Sequence, residues 1–310
     1  VAIDFRRRQA RGFVSHAHAD HMARHALALA TPATGRLYRH RMGQHLAVKE
    51  MPYGEAVVIG GVSLTALPAG HCLGSAMLLA DDGSQRLLYT GDFKLGESAT
   101  AAEADLPQAD VLVMESTFGR PRYRLPPRRD VIAQLLELVH AAFADGATPV
   151  LHAYALGKSQ ELTKILTTAG VPVLQHPVVY AVSREYAASG CGLASGDADV
   201  GEYRGRPLAG HAVVTLPRSM KGFRLAGLGR TVSITATGWA IDPGTRYRLG
   251  VDHALPLSDH ADFDELLETV RRVEPRIVYC THGPAEFVDH VRAIGFDARP
   301  LAPASQGMLF

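Results

Sequence analysis

The chain has 310 residues, of which 47% are hydrophobic and 20% are charged, so it is long enough to bury a sizeable core and has an ordinary globular composition. No apolar run reaches the length of a membrane span, which excludes a membrane protein. The three cysteines (Cys72, Cys191 and Cys280) are too few and too widely spaced for a disulfide framework, so we expect the protein to reside in the reducing cytoplasm.

The charges are segregated along the chain, although the formal net charge is only +1. Residues 5–49 contain a single acid, Asp20, and residues 116–129 and 203–241 contain none, whereas all three segments are rich in arginine. Segregation of this kind can form a basic surface suited to a polyanion such as nucleic acid. Judged from charge alone, solvated arginines on separate surfaces are an equal alternative.

Short apolar runs alternate with segments of helical periodicity, which indicates an α/β fold. Strands are predicted, in chain order, at 62–67, 77–79, 86–89, 111–114, 149–153, 171–174, 231–236 and 276–280.

Two helices and one linker are also predicted. The first helix covers 130–144, with Asp130 as its N-cap. A second begins near Asp262, because Asp262 and Glu265 have the spacing of a capping box. The proline- and arginine-rich segment 119–129 is a candidate crossing between domains.

The strongest chemical signal is the sequence His16-Ala-His18-Ala-Asp20-His21, which directly follows an apolar run. Imidazoles and a carboxylate at alternating and adjacent positions can face two neighbouring cations from one short loop. Crowding the same groups together without a ligand would cost repulsion and desolvation. Three further polar residues each follow a strand-like run, where an α/β sheet presents its site. We therefore predict a two-metal site built from His16, His18, Asp20, His21, His71, Asp92 and His282.

The motifs HAHADH, GHCLGS, TGDF and THG, in this order, resemble those of the metallo-β-lactamase superfamily. The resemblance implies an αββα sandwich with a dinuclear site at one edge. It assigns His16, His18 and His71 to one metal, Asp20, His21 and His282 to the other, and Asp92 to a bridging position. The motifs specify the superfamily rather than the substrate, because lactamases, thioesterases and nucleases share them.

Three further motifs, ESTFG from Glu115, HAYALGKSQE from His152 and SDHADF from Ser258, resemble those of the β-CASP nucleases. The resemblance puts Glu115, His260 and His282 at the family's motifs A, B and C. It also implies a cap that grips nucleic acid, inserted between motifs A and B. The implied division is a metallo-β-lactamase domain over 1–120 and 246–310, interrupted by a cap domain over 121–245.

The implied reaction is phosphodiester hydrolysis assisted by two metal ions. Asp20 would hold and orient the nucleophile together with Asp92, while His260 would donate a proton to the leaving 3′-oxygen. Glu115 would fix the tautomer of His260 and keep it protonated. Taken alone, Glu115 at a strand end has a solvated carboxylate as its alternative interpretation, and His260 would be interpreted first as part of the helix N-terminal cap. A ligand set without thiolate favours zinc, with manganese or iron as the alternatives.

Candidate contacts to nucleic acid lie in the inserted region. Residues 157–159 do not form a Walker loop, because that loop needs glycine at position 152, which is histidine here. Lys158 at a helix N-terminus is still suited to anchoring a phosphate. The candidate contacts are Arg120, Arg122, Arg124, Lys158, Ser159, Arg218 and Lys221. The candidate stacking residues are Tyr123, Tyr154, Tyr203, Phe223 and Trp239.

The class of nucleic acid is open between DNA and RNA. His282 at motif C follows the RNA-processing pattern, because the eukaryotic DNA-directed members usually carry valine there. The remaining motifs and the compact cap most closely resemble bacterial exonucleases described as DNA-ligase-associated. We therefore favour a DNA exonuclease of repair and processing that acts on single-stranded or end-bearing DNA alongside a ligase/helicase system. RNA 3′-end processing is the alternative, and a small-molecule hydrolase of the lactamase or thioesterase type is a second one.

Overall fold

The computed structural model describes residues 1–301, which form three β-sheets and seven α-helices. The strands are β1 (Ala2–Ile3), β2 (Arg11–Phe13), β3 (Leu27–Ala30), β4 (Val48–Glu50), β5 (Ala56–Ile59), β6 (Val62–Pro68), β7 (Ala76–Asp81), β8 (Arg86–Tyr89), β9 (Val111–Glu115), β10 (Thr148–His152), β11 (Val173–Gln175), β12 (Val200–Glu202), β13 (Ala212–Thr215), β14 (Thr231–Ala236), β15 (His253–Leu255), β16 (Ile277–Thr281) and β17 (Asp297–Pro300). The helices are α1 (Pro32–Met42), α2 (Arg128–Ala144), α3 (Lys158–Thr168), α4 (Pro177–Ala188), α5 (Thr245–Leu249), α6 (Phe263–Val273) and α7 (Glu286–Ala293), and a 3₁₀ turn covers Gly238–Ile241.

Two of the sheets form a sandwich. A parallel four-stranded sheet has the order β1-β2-β3-β4, and a mixed seven-stranded sheet has the order β17-β16-β9-β8-β7-β6-β5. Phe13 and Leu29 of the first sheet pack against Leu64 and Leu78 of the second, which buries one apolar face of each.

Helices cover the two outer faces of this sandwich. Helix α1 packs on the four-stranded sheet through Leu37 and Tyr38, and α6 and α7 contribute residues such as Val270 and Val291 to the apolar cluster on the seven-stranded sheet. The predicted αββα sandwich is therefore confirmed.

The third sheet is inserted in the chain between β9 and β16 and forms a cap. It is six-stranded and fully parallel, in the order β12-β11-β13-β10-β14-β15, with α2 and α3 packed on one face. Strand β15 pairs with β14 and ends at Leu255, so the cap sheet extends ten residues beyond position 245, where the sequence places its end.

The predicted start of α6 is confirmed in detail. The side chain of Asp262 accepts hydrogen bonds from the backbone N–H groups of Asp264 and Glu265, and Glu265 Oε2 accepts the N–H of Asp262 at 3.0 Å.

The predicted N-cap of α2 is wrong, because this helix begins at Arg128 directly after Pro127, and Asp130 lies inside its first turn. An acid in the first turn stabilises a helix through the helix dipole even where it is not the cap. The residue type of Asp130 is therefore compatible with either position and does not define the start of α2. Among residues 1–301, no helix is long and apolar enough to span a bilayer.

Candidate metal centre

The predicted metal ligands meet at one edge of the sandwich. Strands β6, β8, β9 and β16 run in the same direction in the seven-stranded sheet, so their carboxyl ends share that edge. His71 follows β6, Asp92 follows β8 and His282 follows β16, while the loop after β2 brings the histidine-rich motif to the same place. The four motifs, which are far apart in sequence, therefore converge because of the sheet topology.

Three imidazoles and one carboxylate form the first ligand group. His18 Nδ1 lies 3.0 Å from His16 Nε2 and 3.2 Å from His71 Nε2, and Asp92 Oδ2 is 3.5 Å from His16 Nε2. Burial, reinforced by the neighbouring histidines, lowers the pKa of His16 well below its usual range and that of His18 to about 4. Neutral nitrogens that converge on one point are the form that a divalent cation binds.

Asp92 also belongs to a second group, with His21 and His282. His21 Nε2 lies 3.3 Å from Asp92 Oδ2 and 3.9 Å from Asp20 Oδ2, and the His21 and His282 rings are 5.5 Å apart. Burial opposes protonation of His21, but Asp4 and Asp92 outweigh it and raise its pKa to about 11, so cation binding here would displace a proton. Asp92 belongs to both groups, as the bridging position implied by the family resemblance requires. Asp20 is largely exposed and lies at the outer rim.

The second ring nitrogen of each inner histidine has its own partner. His18 Nε2 donates to the carbonyl of Leu156 at 3.1 Å, and His71 Nδ1 donates to the carbonyl of Asp259 at 2.8 Å. His16 Nδ1 is 3.0 Å from Ser15 Oγ. Such partners fix the tautomer, so that the other nitrogen faces the metal position. These residues fit a metal centre.

Asp4 belongs to the candidate site, although no sequence motif marks it. Its Oδ2 accepts hydrogen bonds from His21 Nδ1 and from the hydroxyl of Tyr89, both at 2.8 Å, and its Oδ1 accepts the N–H of Ser15 at 2.8 Å. One carboxylate thus orients His21 and the loop that carries His16. No local pattern marked it, because Asp4 follows a two-residue strand twelve positions before the motif.

Glu115 and His260 form a pair beside the metal ligands. His260 Nδ1 donates to Glu115, at 2.9 Å from Oε1 and 3.1 Å from Oε2. Glu115 is only 1% exposed and also accepts the N–H of Phe93 at 2.9 Å, so it is not a solvated carboxylate. The N-cap of α6 is Asp262, so His260 is not the capping residue.

The charge of Glu115 sets the protonation of its partner. Burial disfavours the imidazolium, but the Glu115 carboxylate, together with Asp92 and Asp259, outweighs burial and raises the pKa of His260 to about 10. The His260 ring lies 4.8 Å from the His71 ring. Within residues 1–301, His260 Nε2 makes no hydrogen bond, which leaves its proton available to a group bound at the centre.

The arginines of the 116–129 segment lie on the surface, close to the metal-binding domain. Arg120 pairs with Glu286 at 3.3 Å and Arg124 with Asp264 at 2.9 Å, both in exposed positions. Arg122 is also exposed, with its guanidinium 4.8 Å above the Tyr123 ring. Exposed ion pairs of this kind contribute little stability, so these side chains remain exchangeable toward a phosphate.

Lys158 and Ser159 do not lie where a phosphate could reach them, which corrects the prediction. Lys158 is 3% exposed, with Nζ 2.7 Å from Glu161 Oε2 and 3.8 Å from Asp259 Oδ2. Ser159 is fully buried, and its hydroxyl donates to the carbonyl of Tyr154 at 2.6 Å. The positive charge of Lys158, at the N-terminus of α3, is therefore compensated by the carboxylates of Glu161 and Asp259.

The remaining predicted contacts lie on the cap. Arg218 and Lys221 are exposed in the segment after β13, and Arg218 donates to the carbonyl of Gly250. Among the candidate stacking residues, Tyr123 and Tyr203 are buried, Phe223 is half-buried, and Tyr154 and Trp239 are exposed.

Two family models match the chain. Residues 13–155 match the beta-lactamase superfamily domain, and residues 246–298 match the Zn-dependent metallo-hydrolase RNA specificity domain.

The relatives carry both DNA and RNA names. A probable DNA ligase of Opitutus terrae is 38% identical over 304 residues, which are 96% of this chain and 29% of that protein. The endoribonuclease YSH1 of Eremothecium gossypii is 33% identical over 121 residues, 38% of this chain and 15% of that protein. An RNase J-like protein of Methanocaldococcus jannaschii is 33% identical over 116 residues, 37% of this chain and 28% of that protein. The chain therefore spans less than a third of the length of each of these relatives. Together the two models cover residues 13–155 and 246–298, which carry most of the sandwich, and the chain belongs to the metallo-β-lactamase superfamily and, within it, to the β-CASP nuclease family.

Proposed function

We propose that the chain hydrolyses phosphodiester bonds of nucleic acid with the help of divalent metal ions. The observation that carries the proposal is the Glu115–His260 pair, in which an imidazole is hydrogen-bonded to a buried carboxylate beside a group of metal ligands. A lactamase or thioesterase needs neither this pair nor a cap with acid-free basic segments, so the small-molecule alternative is disfavoured.

The ligand groups suit two ions. His16, His18 and His71 would hold one, and Asp20, His21 and His282 the other, with Asp92 between them. The donor set is nitrogen and carboxylate oxygen, which favours zinc and also accommodates manganese. When bound, such a pair supplies a nucleophile at neutral pH and neutralises charge on the phosphate.

The chain's own residues would orient the reactants and move one proton. Asp20 and Asp92 would orient the attacking water, and water attack at phosphorus breaks the bond to the 3′-oxygen. His260 Nε2 would give its proton to that oxygen, while Glu115 holds Nδ1 and stabilises the imidazolium beforehand. The products are a 3′-hydroxyl and a 5′-phosphate.

We favour DNA as the substrate and an exonuclease role in repair, in the cytoplasm and alongside a ligase/helicase system. The support is that a relative named a probable DNA ligase aligns with 96% of the chain, whereas the endoribonuclease YSH1 aligns with 38%. The three cysteines are free, which fits a reducing compartment. RNA is the second candidate, favoured by the RNA specificity model that matches residues 246–298.

The test uses end-labelled single- and double-stranded DNA and RNA of one sequence, with zinc or manganese. We expect cleavage of DNA to products with a 5′-phosphate, abolished in Asp92→Asn together with metal content. Asp145→Asn is the matched control. Asp145 is exposed and belongs to none of the ligand groups among the described residues, so this variant should cleave normally. Cleavage of RNA but not of DNA would show that RNA, and not DNA, is the substrate. Inertness toward all four, together with hydrolysis of a thioester or β-lactam, would overturn the nuclease proposal.

A further inference from the structure

Trp239 presents a large aromatic surface to solvent on a rigid support. Its side chain is 46% exposed, whereas the two rings beneath it, Phe118 and Tyr123, are 2% and 6% exposed. The ring centroids of Trp239 lie 4.7 Å from Phe118 and 5.3 Å from Tyr123, and those two rings are 5.1 Å apart. We call these three residues the aromatic cluster. Its buried members fix the indole in place while one side of it remains open.

The backbone at this position is fixed as well. A Cβ on Gly238, the preceding residue, would lie only 2.4 Å from the Phe118 ring, so the chain approaches the cluster more closely than any other residue would allow. Thr245 Oγ1 donates to the carbonyl of Trp239 at 2.7 Å. An exposed aromatic that is held so firmly can accept a planar ligand at little cost in conformational entropy.

The aromatic cluster adjoins the proton donor of the proposed reaction. The Phe118 ring lies 6.2 Å from the His260 ring, edge to face. Gly238 also abuts Ser258, whose hydroxyl accepts the N–H of His260 at 2.9 Å and donates to its carbonyl at 2.9 Å. Because His260 would protonate the departing 3′-oxygen, the cluster lies on the side of the scissile bond from which the upstream strand leaves.

A cation lies against Tyr123, a buried member of the same cluster. The Arg122 guanidinium is exposed, stacks 4.8 Å above Tyr123 and donates to its hydroxyl at 2.8 Å. An open aromatic face next to a cation is the arrangement with which proteins bind single-stranded nucleic acid, one base on the ring and one phosphate at the cation.

We propose that Trp239 is a stacking subsite for a nucleobase on the 5′ side of the scissile phosphodiester, with Arg122 beside the adjoining phosphate. The inference rests on the proposed nuclease function and adds to it a specific contact with the departing strand. Since every base has an aromatic face, the subsite requires a base but does not select which one. Stacking of this kind is worth roughly 5- to 150-fold per base.

Binding can be tested without catalysis, because Trp239 is the only tryptophan in the chain. Zinc-loaded Glu115→Gln protein, which should retain its metal while turnover is lowered, is titrated with a short single-stranded DNA carrying an end label, and label anisotropy and tryptophan emission are followed together. We expect a change in emission that saturates with binding, and none from a strand of the same length built entirely of abasic residues. Anisotropy that rises while emission stays constant would overturn the stacking subsite, as would absence of binding. Neither result depends on whether the chain is a nuclease.

A second, kinetic experiment identifies which nucleobase of the substrate stacks on Trp239. One abasic residue is moved through the three positions on each side of a single cleavage site, and kcat/KM is measured for the wild type, Trp239→Ala, Trp239→Phe and Tyr247→Ala. Tyr247 is 72% exposed and serves as the matched aromatic control. We expect an abasic residue at one position on the 5′ side to lower the kcat/KM of the wild type by about 5- to 150-fold. The same abasic residue should cause no further loss in Trp239→Ala, because the stacking contact is already absent. Trp239→Phe and Tyr247→Ala should behave almost like the wild type. Independent, multiplicative losses from the abasic residue and from Trp239→Ala would overturn the subsite while leaving the nuclease proposal intact.

Discussion

Lys158 and Asp259 connect the cap to the metal centre. The lysine begins α3 of the cap, its Nζ lies 3.8 Å from Asp259 Oδ2, and the backbone carbonyl of the same aspartate accepts the hydrogen bond from His71 Nδ1. Glu161, 2.7 Å from the lysine, and Arg128, 2.8 Å from Glu161, complete a largely buried network of charges. A residue that resembles a phosphate anchor in the sequence is thus part of the support for a metal ligand.

Replacing Lys158 by methionine should destabilise the protein by roughly 3–5 kcal/mol, because the buried Asp259 would lose its cation and Glu161 would keep only Arg128. The free energy of unfolding, measured with urea in the presence of a chelator, checks this. Lys164→Met on the same helix is the control, since that lysine only donates to a carbonyl at the surface and should cost less than about 1 kcal/mol. Equal stability of the two variants would show that the network is not needed.

Glu115→Gln should lower turnover by about 10²–10⁴-fold and leave metal content unchanged, because glutamine keeps the shape but not the charge that holds the proton on His260. His260→Ala should show a loss of the same order. The double variant should be little worse than either single one, since the two residues act as one unit. Loss of metal from His260→Ala would instead make this histidine a ligand, an outcome that metal analysis of the purified variant detects.

Asp4→Asn should weaken metal binding by about 10- to 100-fold, because Asp4 orients His21 and the loop that carries His16. Competition with a chromogenic chelator measures the change. Asp82→Asn, in an exposed turn, provides the control and should bind metal normally. A normal affinity in Asp4→Asn would mean that the ligand loop keeps its shape without this carboxylate.

Glu265 should make stability depend on pH. Burial raises its pKa from the ordinary 4.5 to about 7, against the opposing effect of Lys94. The native state therefore binds this proton more tightly than the unfolded state does, so its contribution is fully present below about pH 4.5 and is lost as the pH rises through 7.

Glu265→Gln, which retains an acceptor for the N–H of Asp262, should remove this dependence. The wild-type unfolding free energy should fall by about 1–3 kcal/mol relative to the variant between pH 4.5 and pH 8, as measured in urea with chelator present. Parallel pH profiles of the two proteins would contradict the shifted pKa.

How far the sequence predicts the molecule depends on the distance over which each signal acts. The capping box of α6 and the strand β14 are local, and the structure has them at the predicted residues. The ligands are separated by up to 266 positions, yet each carries its own short motif, so they could be named without knowing the sheet order. Strands such as β1, with two residues, are too short for an alternating pattern and were missed.

The failures have a common physical origin. Lys158 has a near partner in the sequence, Glu161, but its burial also depends on Asp259, which is 101 positions away and is brought to it only by the docking of the cap. The role of Asp4 likewise depends on contacts that no local pattern encodes. Sequence motifs identify which groups are reactive, whereas the groups that hold them in place are determined by tertiary contacts.

The hydrogen bond from His18 to the carbonyl of Leu156 joins a metal ligand to the loop between β10 and α3 of the cap. A shift of the cap at this loop would therefore move a group that positions a metal ligand. If loading the ion favours the docked cap by some factor, then any strand that displaces the cap must weaken the hold on the ion by the same factor. Metal binding would then change the affinity of the cap for a bound strand, and strand binding would change the rate at which the ion dissociates.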